Sequence, residues 1–364
     1  MHRSLLVATL AVSAPALSQS RVAVLVVASS PVLEGQAGQF QGAIEDDVAR
    51  GHTLVRWGDL IGSDPAAVAG LDKLRQLTTA SLAACAAQVG AGEGSRADEA
   101  IASLQSAATA AGPQDVQRAY AALAAQRWIQ NQAPDAEEAA QEALAIDPGL
   151  PPPQVPTSPG FEEMWGRARF SAGDKAKTSL DVSSDPAGAR VLVDGTFRGF
   201  SPTTVPGLSQ GAHLLQLERV GYRPAGFVVT LRGIGNTRAV RLVAAPGWDP
   251  AQILADVAGA QQNVAGPAAG LANGMHVDLL VLAALTPRRS GSQLALVAVS
   301  GKERRLLGSQ TLTFEGDEYG QSTRNAAAAA SALLEGKMGS AKASSAKKSH
   351  SGDPLDAHDG TEDW

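Results

Sequence analysis

At 364 residues, 44% hydrophobic and 18% charged, the chain has room for two or three domains with buried cores. Aromatic residues make up only 4%, so those cores must be built mainly from Ala, Val and Leu. The formal net charge is -6, and no dense Lys/Arg run lies outside the extreme C-terminus. That excludes nucleic acid as the main partner, because phosphate binding needs a basic patch.

Residues 1–18 read as a signal peptide. Arg3 gives a positive start, residues 5–12 are apolar, and Ala14, Ala16 and Ser18 supply small residues for cleavage. The apolar core is shorter than the roughly 20 residues a bilayer span requires. Extending it into the next apolar run would cross Pro15, Gln19 and Arg21. No later segment is long and apolar enough to span, so no transmembrane span is expected. The single cysteine, Cys85, sits among alanines on a helical pattern and cannot form an internal disulfide. It reads as a small buried hydrophobe.

Residues 21–62 form an α/β segment. The Val-rich run 22–28 predicts a buried strand. Phe40, Ile44 and Val48 mark a helix over 37–50, and residues 53–57 a second short strand. Residues 63–149 are helical: Ser63-Asp64-Pro65 caps a long Ala/Leu helix, and hairpins follow over 95–147. Tyr120 and Leu123, then Ala136, Ala140 and Ala143 ahead of Pro148, resemble a tetratricopeptide repeat, with Ala124 in place of the usual Gly. Residues 150–177 are a Pro-rich linker, a short helix over 161–170, and a polar connector.

Residues 178–243 carry the sharpest pattern. Alternation pairs Leu180 with Val182, Val191 with Val193, Leu215 with Leu217, and Val240 with Leu242; Leu192 and Val228 break it. Asp194-Gly195 signals a two-residue hairpin. Pro186, Gly188 and Ala189, then Asp194, Gly195, Gly199, Pro202, Gly211, Gly221 and Tyr222, resemble a PEGA domain, with Ala187 where the family motif has Glu. The resemblance implies a small, sandwich-like all-β domain of exported and surface-associated bacterial proteins, and implies neither catalysis nor a particular ligand. Phe197, Arg198, Phe200, Tyr222 and Arg223 lie at its turns. Phe197, Arg198 and Arg223 are the candidate partner-binding residues; Phe200 and Tyr222 are expected to plug the ends of the sandwich.

Residues 250–335 form another α/β segment. A helix around Ile253, Val257 and Ala260 is expected to end at Gly266-Pro267, followed by a loop to Gly274. Strands over 276–282, 293–299 and 306–314 and an Ala-rich helix over 322–334 complete it. His276 and Asp278 are expected on the polar face of the first of these strands. The order of elements is similar to the α/β domain of the Tol-system propeller protein and of the curli secretion channel. On that resemblance the two α/β segments form one split domain; the alternative is two separate small units. Residues 336–364 are polar and are expected to stay disordered.

The expected fold class is therefore α+β multidomain: tetratricopeptide-like helical hairpins, a small β sandwich, and an α/β unit drawn from both ends of the chain. No cofactor and no metal is called for, since His350, Asp353, Asp356, His358 and Asp359 sit in the tail without fixed geometry. The Gly207–Gly211 stretch matches G-x-S-x-G around Ser209, yet a strand rather than a helix follows. Gly233-Ile234-Gly235 reads as a hairpin turn. The functional expectation is a non-enzymatic exported protein, periplasmic or envelope-associated, that acts as an interaction scaffold for an envelope protein partner, with cell-wall or surface polymer as a further contact. One alternative is an accessory of an envelope transport or secretion assembly; a minor one is a serine hydrolase.

Overall fold

A computed structural model describes residues 19–87, 96–155, 159–315 and 319–336. The expected signal peptide, disordered tail and tail metal ligands lie outside the described residues. The protein is α+β, and the strands among the described residues lie in three sheets.

Strand β1 (Arg21–Ala28) is apolar along its length because it is buried on both faces. It lies in a five-stranded sheet with β2 (Thr53–Leu54), β10 (Leu279–Arg288), β11 (Gly291–Ser300) and β12 (Arg305–Phe314). The order is β12-β11-β10-β1-β2. β1 runs parallel to β10 with Val22 beside Leu279, so both ends of the chain build one sheet. Helices α1 (Glu34–Val48) and α10 (Tyr319–Leu334) cover one face. There Val22, Val24 and Val26 meet Phe40, Ile44, Ala330 and Leu333. Helices α8 (Pro250–Gln261) and α9 (Gly266–Gly274) cover the other, where Ala23, Leu25 and Val27 meet Ile253, Val257 and Ala268. Each large apolar side chain so buried contributes about 1.5–3 kcal/mol.

Between these strands come the short α2 (Trp57–Ile61) and five long helices: α3 (Pro65–Ala86), α4 (Arg96–Ala107), α5 (Pro113–Ile129), α6 (Ala133–Ile146) and α7 (Pro159–Asp174). Asp64 caps α3 by accepting from the Ala66 N–H at 2.9 Å. Small residues let α5 and α6 approach closely, and Trp165, Phe161 and Met164 of α7 fill the remaining space. Cys85 is buried in the same cluster.

A β sandwich follows. One sheet is β6-β3-β9, from β3 (Thr178–Asp185), β6 (Thr203–Leu208) and β9 (Asn236–Arg241). The other is β5-β4-β7-β8, from β4 (Arg190–Val193), β5 (Thr196–Phe200), β7 (Gly211–Glu218) and β8 (Ala225–Leu231). Leu180, Val182, Val191, Val193, Leu215 and Leu217 form the core between them. Asp194 and Gly195 both have positive φ and turn β4 into β5. Val228 breaks the alternation because the outer face of β7 and β8 is also covered: Ala212, Leu214 and Val228 pack on α3, α4 and α5.

Five expectations need correction. The second strand stops at Leu54, since Trp57 opens α2 and Asp59 accepts from the Arg56 N–H at 3.1 Å. Gly266-Pro267 begins helix α9 rather than ending a helix, because proline is at home in a first turn. The following strand starts at Leu279: His276 occupies a turn at φ +55°, and the Asp278 carboxylate accepts from the Arg21 N–H at 2.8 Å. Gly233-Ile234-Gly235 crosses between the two sheets of the sandwich and is not a hairpin, since β8 pairs with β7 and β9 with β3. The helix expected over 161–170 runs from Pro159 to Asp174 and takes in most of the polar connector.

Candidate functional site

The sandwich is seated on the α/β body where α1 crosses the turn between β3 and β4. A Cβ on Gly38 would lie 2.2 Å from the Gly188 carbonyl oxygen, and one on Gly188 would lie 2.2 Å from the Glu34 carbonyl oxygen. The two backbones touch only because both residues are glycine. One turn along α1, the Phe200 ring covers Gly42. Phe200 therefore packs outward onto α1, which corrects the expectation that it plugs the sandwich. At the far side the Trp248 ring covers Gly221. Trp57 donates its indole N–H to the Tyr222 carbonyl at 3.0 Å and meets Trp248 edge-on, with ring centroids 5.1 Å apart.

These contacts border a half-open cavity of about 110 Å³. Its floor is Val26, Val27 and Ala28, the carboxyl end of β1, where open α/β sheets usually present ligand sites. β2 pairs with β1 only at Arg21 and Val22. Beyond them the side chain of Gln41 stands in for a neighbouring strand. Its Oε1 accepts from the Val26 N–H at 2.8 Å, and its Nε2 donates to the Val24 carbonyl at 2.7 Å and to Glu45 Oε1 at 2.6 Å. Without it a buried donor and acceptor would each cost about 1–3 kcal/mol.

Three arginines and three glutamates line the cavity: Arg56, Arg190, Arg219, Glu34, Glu45 and Glu218. Arg56 and Arg190 each approach Glu45 Oε2 to 3.7 Å, and Arg219 approaches Glu34 Oε1 to 3.8 Å. Those separations are attractive but too long for direct hydrogen bonds. The Nε atoms of Arg56 and Arg219 are buried without a hydrogen-bond partner. Another Arg219 nitrogen donates to the Ala187 carbonyl, and its guanidinium lies 5.6 Å from the Tyr222 ring centre. Burial raises the Glu45 carboxyl above the usual range, opposed by the Gln41 hydrogen bond and by Arg56 and Arg190. Burial likewise raises Glu34, opposed by Arg219, and lowers Arg219 itself.

The residues expected from the PEGA resemblance divide into two groups. Asp194, Gly195 and Gly199 shape the β4–β5 hairpin, Pro202 follows it, and Ala189 pairs with Ser201, the Ser201 N–H donating to the Ala189 carbonyl at 2.8 Å. Pro186 sits beside Gly188 in the turn that meets α1. Gly188, Gly211, Gly221 and Tyr222 do more than turn the chain: they touch α1, Ala145 of α6, Trp248 and Trp57 respectively. Of the candidate partner-binding residues, Arg198 and Arg223 are exposed. Phe197 is 41% exposed and packs on Phe200 and beneath Arg190, whose guanidinium is 4.7 Å from its ring centre. Gln41, Glu45, Arg56, Arg219, Trp57 and Trp248 were not anticipated. Gln41 and Glu45 did leave a signal, being polar residues inside the apolar stripe of α1.

Ser209 does not sit as a nucleophile elbow would place it. β7 follows it, and His213 Nε2 lies 2.9 Å from the Ser209 carbonyl oxygen rather than from its hydroxyl. The hydroxyl accepts from Lys177 Nζ at 2.9 Å. His213 Nδ1 meets Asp194 Oδ2 at 2.6 Å. Both partners of the ring are acceptors, an arrangement that only the doubly protonated imidazolium satisfies in full. Burial alone would lower its pKa; the Asp194 hydrogen bond and charge, the Ser209 carbonyl and Glu142 outweigh that and raise it above the ordinary value.

The architecture defines a multidomain α+β protein with a glycine-punctuated β sandwich at its centre. Residues 177–244 match the family model of the PEGA domain. No curated protein and no solved structure matches the chain. Among the described residues no helix is long and apolar enough to cross a membrane, and no cluster of three or more His, Cys, Asp or Glu is arranged for a metal.

Proposed function

We propose that the protein is an exported envelope protein that works by binding other proteins, without catalysis of its own, as an accessory of an envelope transport or secretion assembly. The observation that carries this reading is the single sheet joining β1 to β10. It is the arrangement expected if the α/β body resembles the split domain of the Tol-system propeller and curli secretion proteins. PEGA domains occur in exported proteins, which supports a periplasmic or surface location. On this reading α3 to α7 form a tetratricopeptide-like arm that presents a groove to a partner segment. The exposed Arg198 and Arg223 add a second contact, open also to an anionic surface polymer. A plain scaffold without an assembly is the coarser form of the same idea.

The test is cross-linking with mass spectrometry on intact cells. The expected result is recurrent cross-links from the helical arm and the Arg198/Arg223 surface to components of one envelope assembly, lost in the double variant Arg198→Glu, Arg223→Glu. Recovery of the mature chain in the cytoplasm, or cross-links confined to the chain itself, would overturn the reading. Equal hydrolytic background in wild type and Ser209→Ala would remove the hydrolase alternative.

A further inference from the structure

The junction cavity has features that packing alone does not require. Six charged side chains converge on it, three of each sign, and none of the three Arg–Glu contacts closes to a hydrogen bond. Two guanidinium Nε donors, of Arg56 and Arg219, are shielded from solvent yet left without hydrogen-bond partners. Interiors normally satisfy such groups. One wall is aromatic, from Trp57, Trp248 and Tyr222.

We propose that this cavity is a binding site for a small zwitterion, an α-amino carboxylate such as glycine or alanine. The charge balance selects the class. A free anion would face three glutamates, and a free cation three arginines. A molecule carrying both charges can turn its carboxylate to the guanidiniums and its ammonium to the carboxylates, giving each the direct hydrogen bonds that Arg–Glu separations of 3.7–3.8 Å leave unmade. The volume sets the scale: at the roughly 10–15 Å³ that the centre of one water needs, about 110 Å³ holds on the order of seven to eleven waters, which fits a small amino acid. The inference goes beyond the partner-binding reading and does not depend on it.

The test is calorimetric titration and thermal melting of the full chain with glycine, L-alanine and D-alanine, against acetate, ethylammonium and phenylalanine at matched ionic strength. At least one of the three small amino acids should bind saturably and raise Tm, with acetate and ethylammonium at least tenfold weaker and phenylalanine weaker than alanine. Arg56→Gln, at a side chain 42% exposed, should weaken binding at least tenfold while leaving the ligand-free melt close to wild type. Glu218→Gln should do the same from the opposite charge, so one unstable variant does not decide the matter. Absence of saturable binding for all three amino acids at millimolar concentration overturns the proposal, as does acetate or ethylammonium binding as tightly as the zwitterion, or unchanged affinity in both variants.

Discussion

Asp194→Asn offers a sharp test of how the sandwich is locked. His213 is 2% exposed, and both its ring nitrogens face acceptors, Asp194 Oδ2 at 2.6 Å and the Ser209 carbonyl at 2.9 Å. The second Asp194 oxygen accepts from the Leu214 N–H at 2.9 Å. Asparagine tolerates the left-handed backbone at this position, φ +52°, and its carbonyl can still serve Leu214. Its amide now donates to His213 Nδ1, so the ring becomes a neutral imidazole. In wild type the folded pKa is raised. Its contribution is complete below the unfolded value of about 6.5 and is lost as pH rises through the folded pKa. In the variant burial dominates, the folded pKa falls, and stability is lost as pH drops below about 6.5. Over the window between the two folded pKa values the native states differ by one proton. The stability gap should therefore widen by up to about 1.4 kcal/mol for each pH unit lowered, whatever the other groups do. Urea unfolding of both proteins from pH 5 to 9, read as the difference at each pH, measures it. Parallel profiles, or a gap that closes as pH falls, would refute the imidazolium assignment.

Gly38→Ala should destabilise by about 1–3 kcal/mol through the clash with Gly188, although alanine favours a helix. Gly35→Ala in the same helix meets nothing within 4 Å and should be neutral or mildly stabilising; melting curves of the pair compare them. Gln41→Leu removes the surrogate strand partner of Val24 and Val26 and should cost about 2–6 kcal/mol by urea titration, from two stranded backbone groups. Cys85 is buried and burial pushes its thiol up, so it should react with iodoacetamide far more slowly in native buffer than in denaturant, followed by mass shift.

The body of the fold was legible where one residue pattern answered to one environment. The run 22–28 announced a strand buried on both faces, and Asp194-Gly195 announced a hairpin. The glycines of the sandwich were readable as turns. The second duty of Gly188 was not, because the residue that demands it, Gly38, lies in a distant segment with no local mark. The same holds for the cavity, whose charged groups come from α1, the residue that precedes α2, and the sandwich. Only Gln41 and Glu45 broke a local rule visibly. Thr53–Trp57 carried a strand-like pattern, but Trp57 was taken by a contact with Tyr222 that no short window contains. The Gly-Pro pair at 266 reads locally as a stop, yet the same chemistry opens a helix.

The pairing of β1 with β10 also sets an order of assembly. Arg21 and Asp278, which join at the base of the two strands, are 257 residues apart. A ribosome delivers β1 first, and its apolar edge must wait while the helical arm and the sandwich are made. Closing so long a loop costs little more entropy than closing a moderate one, but it cannot happen early. The first segment thus acts as a check on synthesis: a chain truncated before residue 279 would leave the apolar run 22–28 without its β10 partner, that edge open to proteases and to aggregation.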